Sequence, residues 1–479
     1  MASCDELATV FGYAGIKCFL DEVEAHPVRV YSLISMVAPQ DPLLCSTKSL
    51  TQIEIAEGLD DPRVLGLGEV VSWLRLTQCD EELLERIAMA HERGKIIHGH
   101  TAGAKDQRLC AVGAVGISSC HEAIRVEDAL ERLRLGWTLL REGSLRQDLE
   151  ATLKPLIERD INFQRVILVT DSMSPDDVEE VGHMDHVLRR AVSMGLPPMQ
   201  AIQAVTLNPA TYSGLEQEID GIGPGRFADL VFLEDLENFR VRATLIAGKL
   251  VAEEGVSLVK ANPISLPAGM TDSLRLSPNV SPRQFKIPCA SASAKIRVME
   301  LINQTITAER IVSVSVPAGF IEADLYDDLL KVAIFERHSN DKQIALGFVN
   351  GFGAKVGAVG TTTNLDENTL MVVGGSDDDM AICANVLIKC GGGMAIVNQG
   401  EVLDKIAFPV GGVFSMYPWQ EVAKGLRRIQ RCLKENGSTF EKPMYALTFL
   451  SFVILPALRI TARGLVNVKE RKIVSLFVG

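Results

Sequence analysis

The sequence predicts an α/β protein: a β/α barrel, then a small all-β piece, then a C-terminal α+β domain. Three observations carry this reading. Up to about residue 212, short apolar runs alternate with amphipathic segments, which is the rhythm of βα units. From about residue 215 the texture changes to short alternating strands with glycine turns such as Asp220-Gly221-Ile222-Gly223-Pro224-Gly225. Past a proline-rich stretch at 261–288, strands and helices mix without regular alternation. A chain of 479 residues exceeds what one hydrophobic core supports. The expected domains are therefore 1–214, 215–260 and 261–479.

Six barrel strands are expected, at 28–37, 64–71, 95–100, 113–121, 137–141 and 165–171. Between them, 6–25, 81–93, 126–135 and 145–159 read as helices. After the last strand, 183–194 reads as a helix stopped by Gly195, and 198–206 as another that starts after a proline pair. In the C-terminal domain, 344–349, 370–373 and 394–397 are expected strands, and 379–388 and 420–435 expected helices.

Lys and Arg total 48 against 61 Asp and Glu, a net charge of −13, which argues against a grip on nucleic-acid phosphates or anionic lipid. The expected partner is a small molecule. The 10 cysteines form no C-x-x-C pair and read as reduced thiols of a cytoplasmic protein. No basic, apolar leader is visible before Val10. The most apolar stretch, 446–458, contains Thr448, Ser451 and Pro456 and falls short of the ~20 residues of a spanning helix.

Four expected strands end in groups that could ligate a metal or carry a proton. Glu69 closes the second, His98 and His100 the third, His121 and Glu122 the fourth, and Asp171 the sixth. In a β/α barrel the C-terminal strand ends meet at one mouth, so residues distant in sequence converge. Carboxylate plus imidazole at such a point suits Zn²⁺, Mn²⁺ or Fe²⁺, and a metal there would turn water towards hydroxide near neutral pH. Any one of these residues alone could be a loop or core group, but three of the 8 histidines fall at strand ends. His98 and His100, two apart on a strand, share a face. By contrast, the glycines from Gly351 to Gly360 lack a phosphate-binding pattern and read as a structural turn, and Asp377 to Asp379 reads as a solvated helix N-terminus.

In order along the chain, Leu65-Gly66-Leu67-Gly68-Glu69, His98-Gly99-His100-Thr101-Ala102-Gly103, Ser118-Ser119-Cys120-His121-Glu122, Thr170-Asp171-Ser172-Met173-Ser174, Gly223-Pro224-Gly225-Arg226-Phe227-Ala228-Asp229 and Gly347-Phe348-Val349-Asn350-Gly351 resemble the adenine deaminases of the amidohydrolase superfamily. The resemblance implies an amidohydrolase-type barrel, a flanking β-sandwich segment and the family's C-terminal domain. It implies hydrolytic deamination of adenine to hypoxanthine at a two-metal site of Mn²⁺ or Fe²⁺, in a homo-oligomer. Carried over, Glu69 would bridge the metals, His100 and His121 would ligate one of them, and Asp171 would ligate the other and move the proton of the attacking water. Glu122 is a second candidate proton carrier, and His98 a further candidate ligand.

The same comparison exposes departures. The six expected strands would be strands three to eight of eight, without the family's first lobe and its H-x-H strand. An incomplete barrel is therefore expected, with Val30 and Leu33 left poorly covered. Cys120 stands where the family has Asp, Ser172-Met173 where it has Asp-Arg, and His98 where it usually has Asp. Asn364-Leu365-Asp366-Glu367-Asn368 replaces a segment with two histidines. Beside the deaminase reading, these changes leave an alternative: a catalytically impaired paralogue or fragment that keeps the scaffold and oligomer contacts.

Overall fold

Short β-branched and aliphatic runs make the strands up to Val169, and their pairings run parallel. In the computed structural model, residues 2–36, 40–47, 49–123, 125–142, 148–260, 265–339 and 343–478 are described. One parallel sheet has the order β1 (Ala2–Ser3), β2 (Ser32–Ser35), β3 (Val64–Val70), β4 (Ile96–Gly99), and a second the order β5 (Ser119–Cys120), β6 (Thr138–Glu142), β7 (Val166–Val169). The two meet where the Gly99 N–H donates to Ser119 Oγ at 3.3 Å. Strand order thus follows chain order, as consecutive right-handed βα units require.

Contacts divide the chain into two compact units: Met1–Cys4, Ile16–Met36 and Thr51–Ser265 form one, and Asp5–Gly15, Val37–Leu50 and Leu266–Gly479 the other. In the first, helices follow the strands with legible start signals. Gln52–Asp60 opens on a capping box of Thr51 and Glu54, and Glu81–Glu92 on Asp80, whose side chain accepts from the Leu83 N–H at 3.2 Å. Leu139, Leu153, Val166, Leu168, Val187 and Ala201 build one core between β6, β7 and the helices around them. Residues 230–257 of the same unit form a four-stranded antiparallel sheet.

Several expectations shift. The two-residue β1 is an addition, too short to show any alternation. The expected strand 113–121 shrinks to Ser119–Cys120, because Asp106–Ala114 is helical and Gly116, at φ 97°, turns the chain. The expected helix 6–25 is two helices, Asp5–Phe11 and Tyr13–Glu24, broken at Gly12 with φ 64°. Leu33 is only 3% exposed and packs where a side chain on Gly68 would stand, so poor coverage at that residue is not found. Val37, at the end of the first expected strand, and residues 145–147, at the start of an expected helix, lie outside the described residues.

The second unit is built on an eight-stranded, mostly antiparallel sheet in the order Thr307–Ser315, Ser293–Leu301, Ile344–Asn350, Leu330–Phe335, Leu370–Gly374, Ala358–Thr361, Gly393–Asn398, Glu401–Ala407. Neighbouring residues of one strand face opposite layers. Val372 and Ala395 pack with Met380 and Leu387 of the helix Asp377–Lys389, whereas Val373 and Ile396 share a core with Leu426 and Ile429 of Trp419–Glu435. The Gly351 turn is structural, since the Gly351 and Gly353 N–H groups donate to the Asp328 carboxylate. Asp377 and Asp379 do start a helix but are not solvated. Buried Lys331 pairs with Asp377 at 2.7 Å, and Asp379 accepts from the Gln399 and Gly400 N–H groups. A buried ammonium needs such a counter-ion, which an acidic triplet in the sequence does not announce.

Candidate metal centre

Glu69, His98, His100 and His121 reach one place from three successive strands or the turns after them. His98, on β4, and His100, the residue just after its end, share a face because strand side chains alternate. On β3 the ladder to β4 runs Leu67 with Ile97 and then Val70 with Gly99, so one residue is inserted between the pairs. A bulge of this kind re-aims a side chain, and here the bulged stretch carries Glu69. Close approach of β4 and β5 depends on Gly99: a Cβ there would overlap the Ser119 carbonyl oxygen and lie 2.5 Å from Ile117 Cγ2.

The ligand atoms converge. His121 Nε2 lies 3.0 Å from Glu69 Oε1 and 3.1 Å from His100 Nδ1, and His100 Nδ1 lies 3.6 Å from Glu69 Oε2. Donor atoms around an ion with ~2.0–2.2 Å bonds stand ~2.8–3.1 Å apart in octahedral and ~3.3–3.6 Å apart in tetrahedral geometry, so separations of 3.0–3.6 Å suit a first-row divalent cation. Two overlapping sets each place one ligand atom per residue within 4.8 Å: Glu69, His98 and His121, and His100, His121 and Glu122.

Asp171 does not belong to either set. It follows β7 in the left-handed region at φ 50°, is exposed, and accepts from Ser172 Oγ at 3.1 Å. Its charge is nonetheless felt at His98, His100 and His121. Burial pushes His98 down to about 3, and burial together with the neighbouring His121 lowers His100. Burial would lower His121 too, but the Glu69 carboxylate beside it outweighs that and holds it at about 10. Glu69 in turn is held well below the usual carboxylate range by His121, against the opposing pull of burial. Without metal, then, the Glu69 carboxylate favours a proton on His121, while burial favours the neutral form of His98.

Three supporting residues were not foreseen. Arg132, 1% exposed, donates to the Thr101 carbonyl at 2.6 Å, the Ala104 carbonyl at 3.3 Å and Thr101 Oγ1, clamping the turn after His100. An arginine beside the apolar positions of the 126–134 helix was its only trace in the sequence. Ser119 and Tyr212 stand behind His98, and Tyr212 belongs to a short helix, Leu207–Tyr212, in which nothing in the sequence marks it out.

Residues 11–251 match the amidohydrolase family, and residues 304–472 match the adenine deaminase C-terminal domain. An adenine deaminase of Moorella thermoacetica is 38% identical over 99% of this chain and 80% of its own length. The chain belongs to the adenine deaminase family. Another family member, an adenine deaminase of Cenarchaeum symbiosum, is 33% identical over 99% of this chain and 78% of its own. Among solved structures, an N-acetyl-D-glucosamine-6-phosphate deacetylase from Mycobacterium smegmatis matches at 20% identity and TM-score 0.40, covering 53% of this chain and 74% of that one. A β-aspartyl dipeptidase from Fervidobacterium islandicum matches at 16% identity and TM-score 0.38, covering 52% and 71%. All six candidate residues of this adenine deaminase family member fall inside the amidohydrolase match. No helix among the described residues is long and apolar enough to cross a membrane.

Proposed function

We propose that the chain hydrolyses adenine to hypoxanthine and ammonia at a site held by Glu69, His98, His100 and His121. The observation that carries the proposal is the convergence of His121 Nε2, His100 Nδ1 and the Glu69 carboxylate at 3.0–3.6 Å. A divalent cation bound there, Mn²⁺ or Fe²⁺, supplies a water acidified to near-neutral pKa. Asp171, set at the strand end in a left-handed turn, is the proton carrier. It takes a proton from water as the water oxygen bonds to C6 of the purine and the C6=N1 π pair moves onto N1, and returns one to the amino nitrogen as that pair re-forms the double bond, the exocyclic C6–N bond breaks and ammonia leaves, giving the hydroxyl tautomer of hypoxanthine. Glu122, close to His100 and His121, is the second group able to carry that proton. The relatives' names support this substrate, and no comparable observation favours an impaired paralogue. The same reading has the enzyme cytoplasmic and homo-oligomeric, with no nucleic-acid or membrane partner.

The test is ammonia release from adenine by the Mn²⁺-loaded chain, with Asp171→Asn alongside. Turnover falling ~10²–10⁴-fold in the variant at unchanged metal content supports the assignment. No ammonia from the wild-type chain with stoichiometric metal bound would overturn it.

A further inference from the structure

Behind the ligand set lies a small hydroxyl network that the reaction as written does not use. His98 Nδ1 lies 3.3 Å from the Tyr212 hydroxyl and 3.4 Å from Ser119 Oγ, and the two hydroxyls are 2.8 Å apart. A hydroxyl has one proton and two lone pairs. One Ser119 lone pair takes the Gly99 N–H. With the Ser119 hydroxyl donating to Tyr212, one lone pair on each oxygen is left open to a proton on Nδ1. With Nδ1 protonated, the lone pair of a neutral imidazole sits on Nε2.

The ring is held on its faces as well. It stacks on His121 with centroids 5.4 Å apart and planes 15° apart, and meets the edge of Tyr212 at 6.2 Å and 71°. Tyr212 is itself anchored: one turn earlier, Asn208 Nδ2 donates to the Phe163 and Val166 carbonyls at 2.8 and 2.7 Å.

We propose that Ser119 and Tyr212 are positioning residues that hold the His98 imidazole through Nδ1 and so present Nε2, beside Glu69 and His121, as a ligand to a divalent cation. This rests on the metal-centre reading given under Proposed function. Metal-bound imidazoles commonly donate their second N–H to an oxygen, which fixes both tautomer and ring orientation. Here two hydroxyls from different elements share that task, and the residue they hold, His98, stands where the family usually has Asp.

The test is titration of the metal-free, full-length chain with Co²⁺, read by the ligand-field absorption of the bound ion. His98→Ala and the double variant Ser119→Ala/Tyr212→Phe are expected to change the spectrum in the same sense and to weaken Co²⁺ binding ~10–100-fold. If the double variant does not fold, the near-isosteric Tyr212→Phe alone is expected to shift the spectrum in that direction, and an unchanged spectrum overturns the role of Tyr212. A double variant with wild-type spectrum and affinity overturns the proposal. So does a wild-type spectrum in His98→Ala when His121→Ala has lost the ion, and in that case the metal centre itself stands. Unchanged Co²⁺ binding in both Glu69→Gln and His121→Ala overturns the metal-centre reading instead.

Discussion

His121 Nε2 lies 3.0 Å from Glu69 Oε1, and this pair joins the end of β5 to the bulged end of β3 across β4. The imidazole is buried, while the carboxylate keeps 31% of its side-chain surface. The pair therefore acts as a latch for the metal-free protein as well as a ligand pair.

Replacing Glu69 by Gln leaves the His121 proton without its anionic acceptor. A charged hydrogen bond of this kind contributes ~1.5–3 kcal/mol. Metal-free Glu69→Gln is expected to lose stability in that range by urea unfolding, and a double-mutant cycle with His121→Ala should show coupling. Additive effects of the two changes would mean that the pair does not stabilise the fold.

Gly99 lies between the two histidines of β4, where a methyl group has no room against Ser119 and Ile117. Gly99→Ala should force β4 and β5 apart, costing about 1–3 kcal/mol as overpacking commonly does. It should also separate His100 from His121 and so release bound Mn²⁺. Wild-type metal content in the purified variant would show that the strands tolerate the side chain.

Asp366 offers a pH test away from the metal. Burial, with the charges of Glu367 and Asp41 nearby, raises its carboxyl to about 7, although the Gln40 N–H donates to it at 2.8 Å. A carboxyl whose folded pKa is raised contributes stability that is full below its unfolded pKa of ~3.9 and is lost as pH rises through the folded value. Stability should therefore decline between about pH 4 and 7 on account of this group. Asn fits the backbone at φ 75° and still accepts from Gln40, so Asp366→Asn should melt like the wild type at pH 4 and above it at pH 8. Equal melting temperatures at pH 8 would show that the carboxyl ionises at no cost.

The strand-end residues were legible because each closes an apolar run, and His98 and His100 because spacing by two on a strand means one face. The bulge that aims Glu69 was not, since an inserted residue leaves the apolar run unchanged and shows only in the pairing. β5 was misjudged because Ile117 and Val115 continue the apolar pattern while Gly116 turns the backbone out of it. Tyr212 and Arg132 act through contacts with residues distant in sequence, which periodicity does not encode. In the second unit, Asp377 looked like a solvated helix start because its partner, Lys331, lies 46 residues earlier on a strand.

The chain order of the strands has a consequence for how the centre comes into being. Every group of the two ligand sets lies between residues 69 and 122, on consecutive βα units. Bringing them together closes only short loops, so the entropy lost in assembling the centre is small compared with that of a site gathered from remote segments. As the polypeptide leaves the ribosome, these groups are all available well before the eight-stranded sheet has been synthesised.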